Sequence, residues 1–201
     1  MNRMRVCIVT LCLFLAACAG FKAVEGDKPV TIGNGVTVVP QVAWSQATNN
    51  TSLGPMWTID GIGLNELHFY TAIAPGRPLM TIPGVQLRDL GRYEGTMLAD
   101  DVMNLLASTL DKAGHQQIRT AALRPAPFGT ITGFRFDVSY VTMDGLQMKG
   151  MVLAAQRGGR LDYIMFTAPA EYYFDRYAPT VERLFASVQA AAPAPAKARA
   201  S

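Results

Sequence analysis

The stretch TITGFRFDVSYVTMDGLQMKGMVLAAQRGGRLDYIMFT, residues 130–167, decides the fold. Its apolar residues alternate with polar or small ones, the period of a strand on a sheet. Asp144-Gly145 and Gly158-Gly159 interrupt the pattern where a hairpin needs positive φ. Read with a two-residue loop at each pair, Phe136 lies opposite Leu153 and Leu153 opposite Ile164, with Val138, Met151 and Phe166 in the next row. One face is then strongly apolar. The reverse face is mixed, carrying Arg135, Asp137 and Ser139, then Gly150, Val152 and Ala154, then Tyr163, Met165 and Thr167.

Working outward, Asn34-Gly35 and Asp60-Gly61 are further hairpin signals between apolar runs, so the chain is rich in antiparallel strand. A helix is expected from Met97 to Ala113. Thr96 stands as its N-cap, Asp100 and Asp101 near the positive end of its dipole, Lys112 in its last turn and Gly114 as its terminator. Leu98, Val102, Leu105, Leu106 and Leu110 form its apolar stripe. A second helix is expected to begin near Pro179, a residue suited to a first turn, with Val181, Leu184, Phe185 and Val188 on one face. The expected fold class is α+β: a twisted antiparallel sheet of about six to seven strands flanked by two main helices.

The run from Arg160 to Pro169, an aromatic linker (Tyr172, Tyr173, Phe174, Tyr177), and then Val181-x-x-Leu184-Phe185-x-Ser187-Val188 resembles the end of the PsbP/DcrB-like fold. Val188 replaces the aromatic usual there, and the N-terminal half matches only in the order of its elements. The resemblance implies an α/β/α sandwich used mostly for protein binding or assembly support rather than catalysis.

At the other end, a basic start (Met1 to Arg5) precedes an uncharged apolar stretch from Val6 to Ala17. Its twelve residues reach about 18 Å as a helix, short of the roughly 30 Å hydrocarbon core of a bilayer, so the segment reads as a secretory signal rather than a span. Leu15-Ala16-Ala17-Cys18 is similar to the lipobox of bacterial lipoproteins, which implies cleavage before Cys18 and acylation of that cysteine with fatty acyl chains such as palmitate. Ala19 is not the Asp that the lipoprotein sorting habit associates with inner-membrane retention, which implies the periplasmic face of the outer membrane. Ala17-Cys18-Ala19 also satisfies an ordinary signal-peptide cut, which would give a soluble periplasmic protein. The expected organisation is a signal peptide (1–17), a lipidated tether (18–29), a single domain (30–189) and an Ala/Pro tail (190–201) too poor in large apolar groups to offset its ordering entropy.

Removing the signal leaves 184 residues, ample for one core, and 16 basic against 15 acidic side chains, a net charge of +1 that carries no nucleic-acid footprint. Cys7 and Cys12 leave with the signal. The domain therefore has no disulfide, no thiol nucleophile and no cysteine metal ligand.

A search for catalytic chemistry finds little. Gly61-x-Gly63 follows a strand-like Trp57 to Asp60, but Glu66 stands where a third glycine would be and another strand-like run, Leu64 to Ile73, follows where a dinucleotide site needs a helix. His68 alternates with Glu66 and Tyr70 on one strand face, and His115 follows the helix terminator as a surface residue. Neither has metal-ligand spacing, so no metal or cofactor is expected. The long segment from Pro75 to Gly95 offers Arg77, Arg88, Arg92 and Tyr93; with Arg135, Asp137 and Tyr163 these make the candidate interaction surface. The expected function is a non-enzymatic, lipid-anchored module that binds an envelope protein or assists assembly. The alternatives are a carrier or sensor of an apolar small-molecule ligand, with a groove near Gly150 and Ala154, and a periplasmic hydrolase.

Overall fold

A computed structural model describes residues 20–48 and 54–190. In chain order its elements are β1 (Phe21–Val24), β2 (Val30–Gly33), β3 (Val36–Val38), β4 (Trp44–Ala47), β5 (Met56–Thr58), β6 (Glu66–Ile73), α1 (Ala99–Lys112), β7 (Gln116–Phe128), β8 (Ile131–Val141), β9 (Gln147–Arg157), β10 (Arg160–Pro169), α2 (Tyr173–Ala186) and β11 (Gln189–Ala190). The expected signal peptide, Cys18 and the Ala/Pro tail beyond Ala190 lie outside the described residues.

Eight strands form one fully antiparallel sheet in the order β1-β4-β5-β6-β10-β9-β8-β7, and β11-β3-β2 form a small second sheet. This corrects the expected six to seven strands. The extra members are three or four residues long, too short to show alternation. Phe21–Val24, expected as tether, pairs with β4 from Phe21↔Ala47 to Val24↔Trp44.

β9 and β10 occupy the middle of the sheet and are buried on both faces, so Met151–Ala155 and Leu161–Ala168 read as unbroken buried runs. One core lies between the sheet and α2 with the small sheet, containing Trp44, Trp57, Leu67, Phe69, Leu153, Phe166, Leu184 and Phe185. The other lies between the sheet and α1 with the segment after β6, containing Tyr70, Leu79, Tyr93, Val102, Leu106, Phe136 and Tyr163. The expected single apolar face is thus two, each covered by its own helix.

The β9–β10 turn follows the sequence reading: Gly158 and Gly159 both have positive φ (57° and 74°) and Leu153 pairs with Ile164. The β8–β9 connection does not. Phe136 pairs with Val152, and Arg135 with Leu153. Gly145 N–H donates to the Thr142 carbonyl (3.0 Å) and Thr142 N–H to the Leu146 carbonyl (2.9 Å), so the loop has three residues, Met143, Asp144 and Gly145, with Gly145 alone at φ 88°. That one-residue difference turns β8 over. Phe136 and Val138 face α1, whereas Arg135 and Asp137 point to the α2 side.

α1 carries Asp100 and Asp101 in its first turn, but its N-cap is Leu98 rather than Thr96, and the Leu98 N–H donates to the Asp101 carboxylate at 2.9 Å. Gly114, at φ 85°, terminates it as expected. Val102, Leu106 and Leu110 are buried, and Leu98, placed in the stripe by spacing, is exposed. α2 begins at Tyr173, with Pro179 inside it rather than at its start. A proline there removes an intrahelical bond, at a cost of about 3 kcal/mol. The preceding turn forms nonetheless because Tyr173, Phe174 and Tyr177 pack on the sheet, Phe174 lying 5.9 Å from the Phe166 ring.

Candidate functional site

A cavity of about 810 Å³ opens on the α1 side of the sheet, where β6 and β10 meet the residues after β6. Glu66, His68 and Tyr70 line it from alternate positions of β6, and Thr167 and Met165 from the facing positions of β10, pairing with Glu66 and His68. Tyr140 of β8, Leu110 of α1 and His115 just beyond it close one end. Ala47 and Met56 close the other, with Gly20, Phe21, Ile62 and Thr81–Pro83 at the rim and Met80 beneath them. Volumes of roughly 300–1,000 Å³ are typical of small-ligand sites.

Glu66 is positioned by the β5–β6 loop. The Asn65 side-chain oxygen accepts from the Thr58 hydroxyl (3.1 Å) and the Ile59 N–H (2.6 Å), while its amide donates to Asp60 (3.0 Å). The two glycines of that loop therefore serve a hairpin. Gly63 N–H donates to one Glu66 oxygen (2.8 Å), and His68 Nε2 bonds the other (2.8 Å). Burial alone would raise the Glu66 carboxyl, but the His68 hydrogen bond and charge, with the Gly63 amide, outweigh it and hold the group below its ordinary range.

The Nδ1 atoms of His68 and His115 are both buried without a hydrogen-bond partner. The His115 ring lies 4.5 Å from that of Tyr140, inside the cavity rather than on open surface, and burial lowers its pKa, favouring neutral imidazole. Burial raises the Tyr140 phenol to about 12, with the Thr167 hydroxyl opposing the shift, so it stays protonated. The site combines apolar walls with one polar end that can donate and accept hydrogen bonds. Its lining includes no serine and no cysteine, so a Ser-His-Asp or Cys-His set is not assembled among these residues. Among the described residues no group of three or more His, Cys, Asp or Glu could hold a metal ion.

The candidate interaction residues separate. Arg77, Arg88 and Arg92 are exposed. Tyr93 is not: it is fully buried against α1. Tyr163 is also internal, stacked on Tyr70 at 4.4 Å with its hydroxyl donating to the Leu79 carbonyl at 3.1 Å. Arg135, expected beside Asp137 on an open face, reaches α2, donating to both Glu182 oxygens (2.6 and 2.5 Å) and lying 5.9 Å from the Phe185 ring. Asp137 is half-buried on the same side, where it adds to the charge that raises the Arg135 pKa behind the larger Glu182 hydrogen bond. The space expected near Gly150 is filled: a Cβ there would meet Val138 and Thr167 at 3.0 Å. The cavity lies further along the same face. Its Glu66-x-His68-x-Tyr70 wall was visible in the alternation. The contribution of Tyr140 depended on the β8 register, and that of Phe21 on recognising β1.

No protein-family model and no curated protein matches the chain. Among solved structures, the solution structure of cyanobacterial PsbP (CyanoP) from Synechocystis sp. PCC 6803 aligns over 88% of this chain and 96% of that one, with a TM-score of 0.55 and 13% sequence identity. The fold is PsbP-like. The architecture implied by residues 160–188 thus extends over most of the chain. At this identity the likeness concerns fold alone.

Proposed function

We propose that this protein is a non-catalytic binding module of the cell envelope, lipid-anchored through Cys18 on the periplasmic face of the outer membrane, which docks a partner protein through the segment from Pro75 to Gly95. The observation that carries this reading is that the segment is held in shape yet turns cations outward. Gly76 N–H donates to the Tyr93 carbonyl (2.8 Å) and Tyr93 N–H to the Arg77 carbonyl (2.9 Å), closing the segment at its base, while Leu79, Leu90 and Tyr93 are buried beneath it. Outside it present Arg77, Arg88 and Arg92, with Leu87 45% exposed among them. A surface already ordered loses little conformational entropy on binding, and arginine is enriched at interface anchors.

In-cell photo-crosslinking from position 87 tests the reading. The double change Arg77→Glu/Arg88→Glu is expected to remove the crosslinked adduct without lowering the melting temperature; Arg92 is left in place because its guanidinium donates to the Gly76 carbonyl (2.6 Å) at the base of the segment. An unchanged adduct would sink the assignment. The anchor is tested separately: Cys18→Ala should move the protein from the membrane to the soluble periplasmic fraction.

The cavity favours a second reading, a carrier of an apolar ligand with one polar end. Native mass spectrometry of the domain separates the two, since a carrier retains a co-purified small molecule.

A further inference from the structure

We infer that the cavity shelters one acyl chain of the lipid carried by this protein's own Cys18. The inference rests on the lipid-anchor reading and does not require the protein-docking one. Gly20 and Phe21, the first two described residues, are themselves part of the cavity wall. Two residues span at most about 7 Å when fully extended, so any group on Cys18 is held at the mouth.

The mouth is apolar. Phe21 and Ile62 on its rim are 47% and 61% exposed, apolar surface beside the cavity that a covering acyl chain would bury. Inside, Met56, Met80 and Met165 supply flexible, polarizable walls that adapt to a mobile hydrocarbon. Tethering fixes which occupant is favoured: a ligand attached two residues away reaches an effective concentration in the millimolar range, above that of a free fatty acid. The remaining chains on the same cysteine keep the protein on the membrane.

The test uses the full precursor expressed in bacteria fed a fatty acid with a terminal diazirine. After irradiation, the intact mass reports attachment at Cys18 and peptide mass spectrometry maps the crosslinks. The expected result is an intramolecular crosslink from the Cys18-borne chain to the peptide containing Met80–Pro83 or that containing Met165. Ile82→Asp, at a half-exposed rim position, should reduce it about tenfold, and Ile62→Asp provides a second variant; melting curves confirm that each folds. A Cys18-borne probe crosslinked to phospholipid alone overturns the inference. So does equal labelling of the same peptides when free probe is added to Cys18→Ala protein, which would assign the cavity to a free fatty acid. A precursor bearing no probe at Cys18 overturns it through failure of the anchor, recognisable from the intact mass, and leaves the Arg77–Arg92 surface to its own test.

Discussion

At the residue scale, the Arg157–Asp162 pair fixes the β6–β10 junction. Their side chains are 6% and 2% exposed, and Arg157 Nε donates to Asp162 Oδ2 at 2.7 Å. The other Asp162 oxygen accepts from Ala72 N–H (2.8 Å), a residue at φ 54°, and Arg157 also donates to the Asn34 carbonyl (2.9 Å) in the small sheet. Removing one partner strands a buried charge, so Asp162→Ala is expected to cost about 3–5 kcal/mol in urea unfolding, with part of the loss recovered in Arg157→Met/Asp162→Leu. Glu182 gives a pH signature. The Arg135 hydrogen bond, opposed in part by burial, holds its pKa below the ordinary 4.5. A lowered folded-state pKa contributes stability above the unfolded value and loses it as pH falls through the folded one. The stability gap between the wild type and Glu182→Gln, present at neutral pH, should therefore close as acid titration proceeds below 4.5, followed by denaturant midpoint. Sequence alone could not separate these roles. An arginine or tyrosine in an alternating run reads identically whether it faces water or a helix, which is why Arg135 and Tyr163 looked like surface; Tyr93 did so because it stands in a long segment between elements.

At the element scale, the β8–β9 loop shows what hairpin chemistry can and cannot specify. Asp-Gly suits a two-residue turn needing positive φ at both positions, and equally a three-residue loop that needs it only at the last. Where both pairs of positions were committed to glycine or asparagine, as at Asn34-Gly35 (48° and 75°) and Gly158-Gly159, the reading held. Alternation could not arbitrate the β8–β9 register because β9 is buried on both faces. Gly145→Ala places a Cβ at φ 88° and should cost about 1–2 kcal/mol by thermal unfolding, whereas Asp144→Gly should cost less than that. A stabilising Asp144→Gly would argue for the two-residue loop, in which position 144 also takes positive φ. Helix α1 was legible because its stripe, acidic first turn and terminal glycine agree. The start of α2 was not, because the packing of Tyr173 and Phe174 outweighs the local preference of Pro179.

At the scale of the molecule, two cores share one sheet, and the fluorescent probes are confined to one of them: Trp44 and Trp57 both lie on the α2 side. Leu106 sits in the other core, 1% exposed beneath α1. Leu106→Ala should destabilise by about 2–5 kcal/mol, and if the sheet couples the cores, tryptophan fluorescence and far-ultraviolet dichroism will shift together. A displaced dichroism curve with unmoved fluorescence would show that the layers unfold separately. The C-terminal half of this architecture was readable from its long strands, and the N-terminal half was hidden in strands too short to carry a period. The far margin of the sheet, β7, has thirteen residues bonded on one side only, yet its register slips between Gln116 and Arg119 and between Ala121 and Arg124, and it carries Pro125 and Pro127. Slips bend the unpaired side away from a flat template, and proline removes donors from it. Such a margin resists templating a foreign strand, so copies crowded side by side, as the proposed lipid anchor would crowd them on a membrane, do not seed edge-to-edge growth into fibrils.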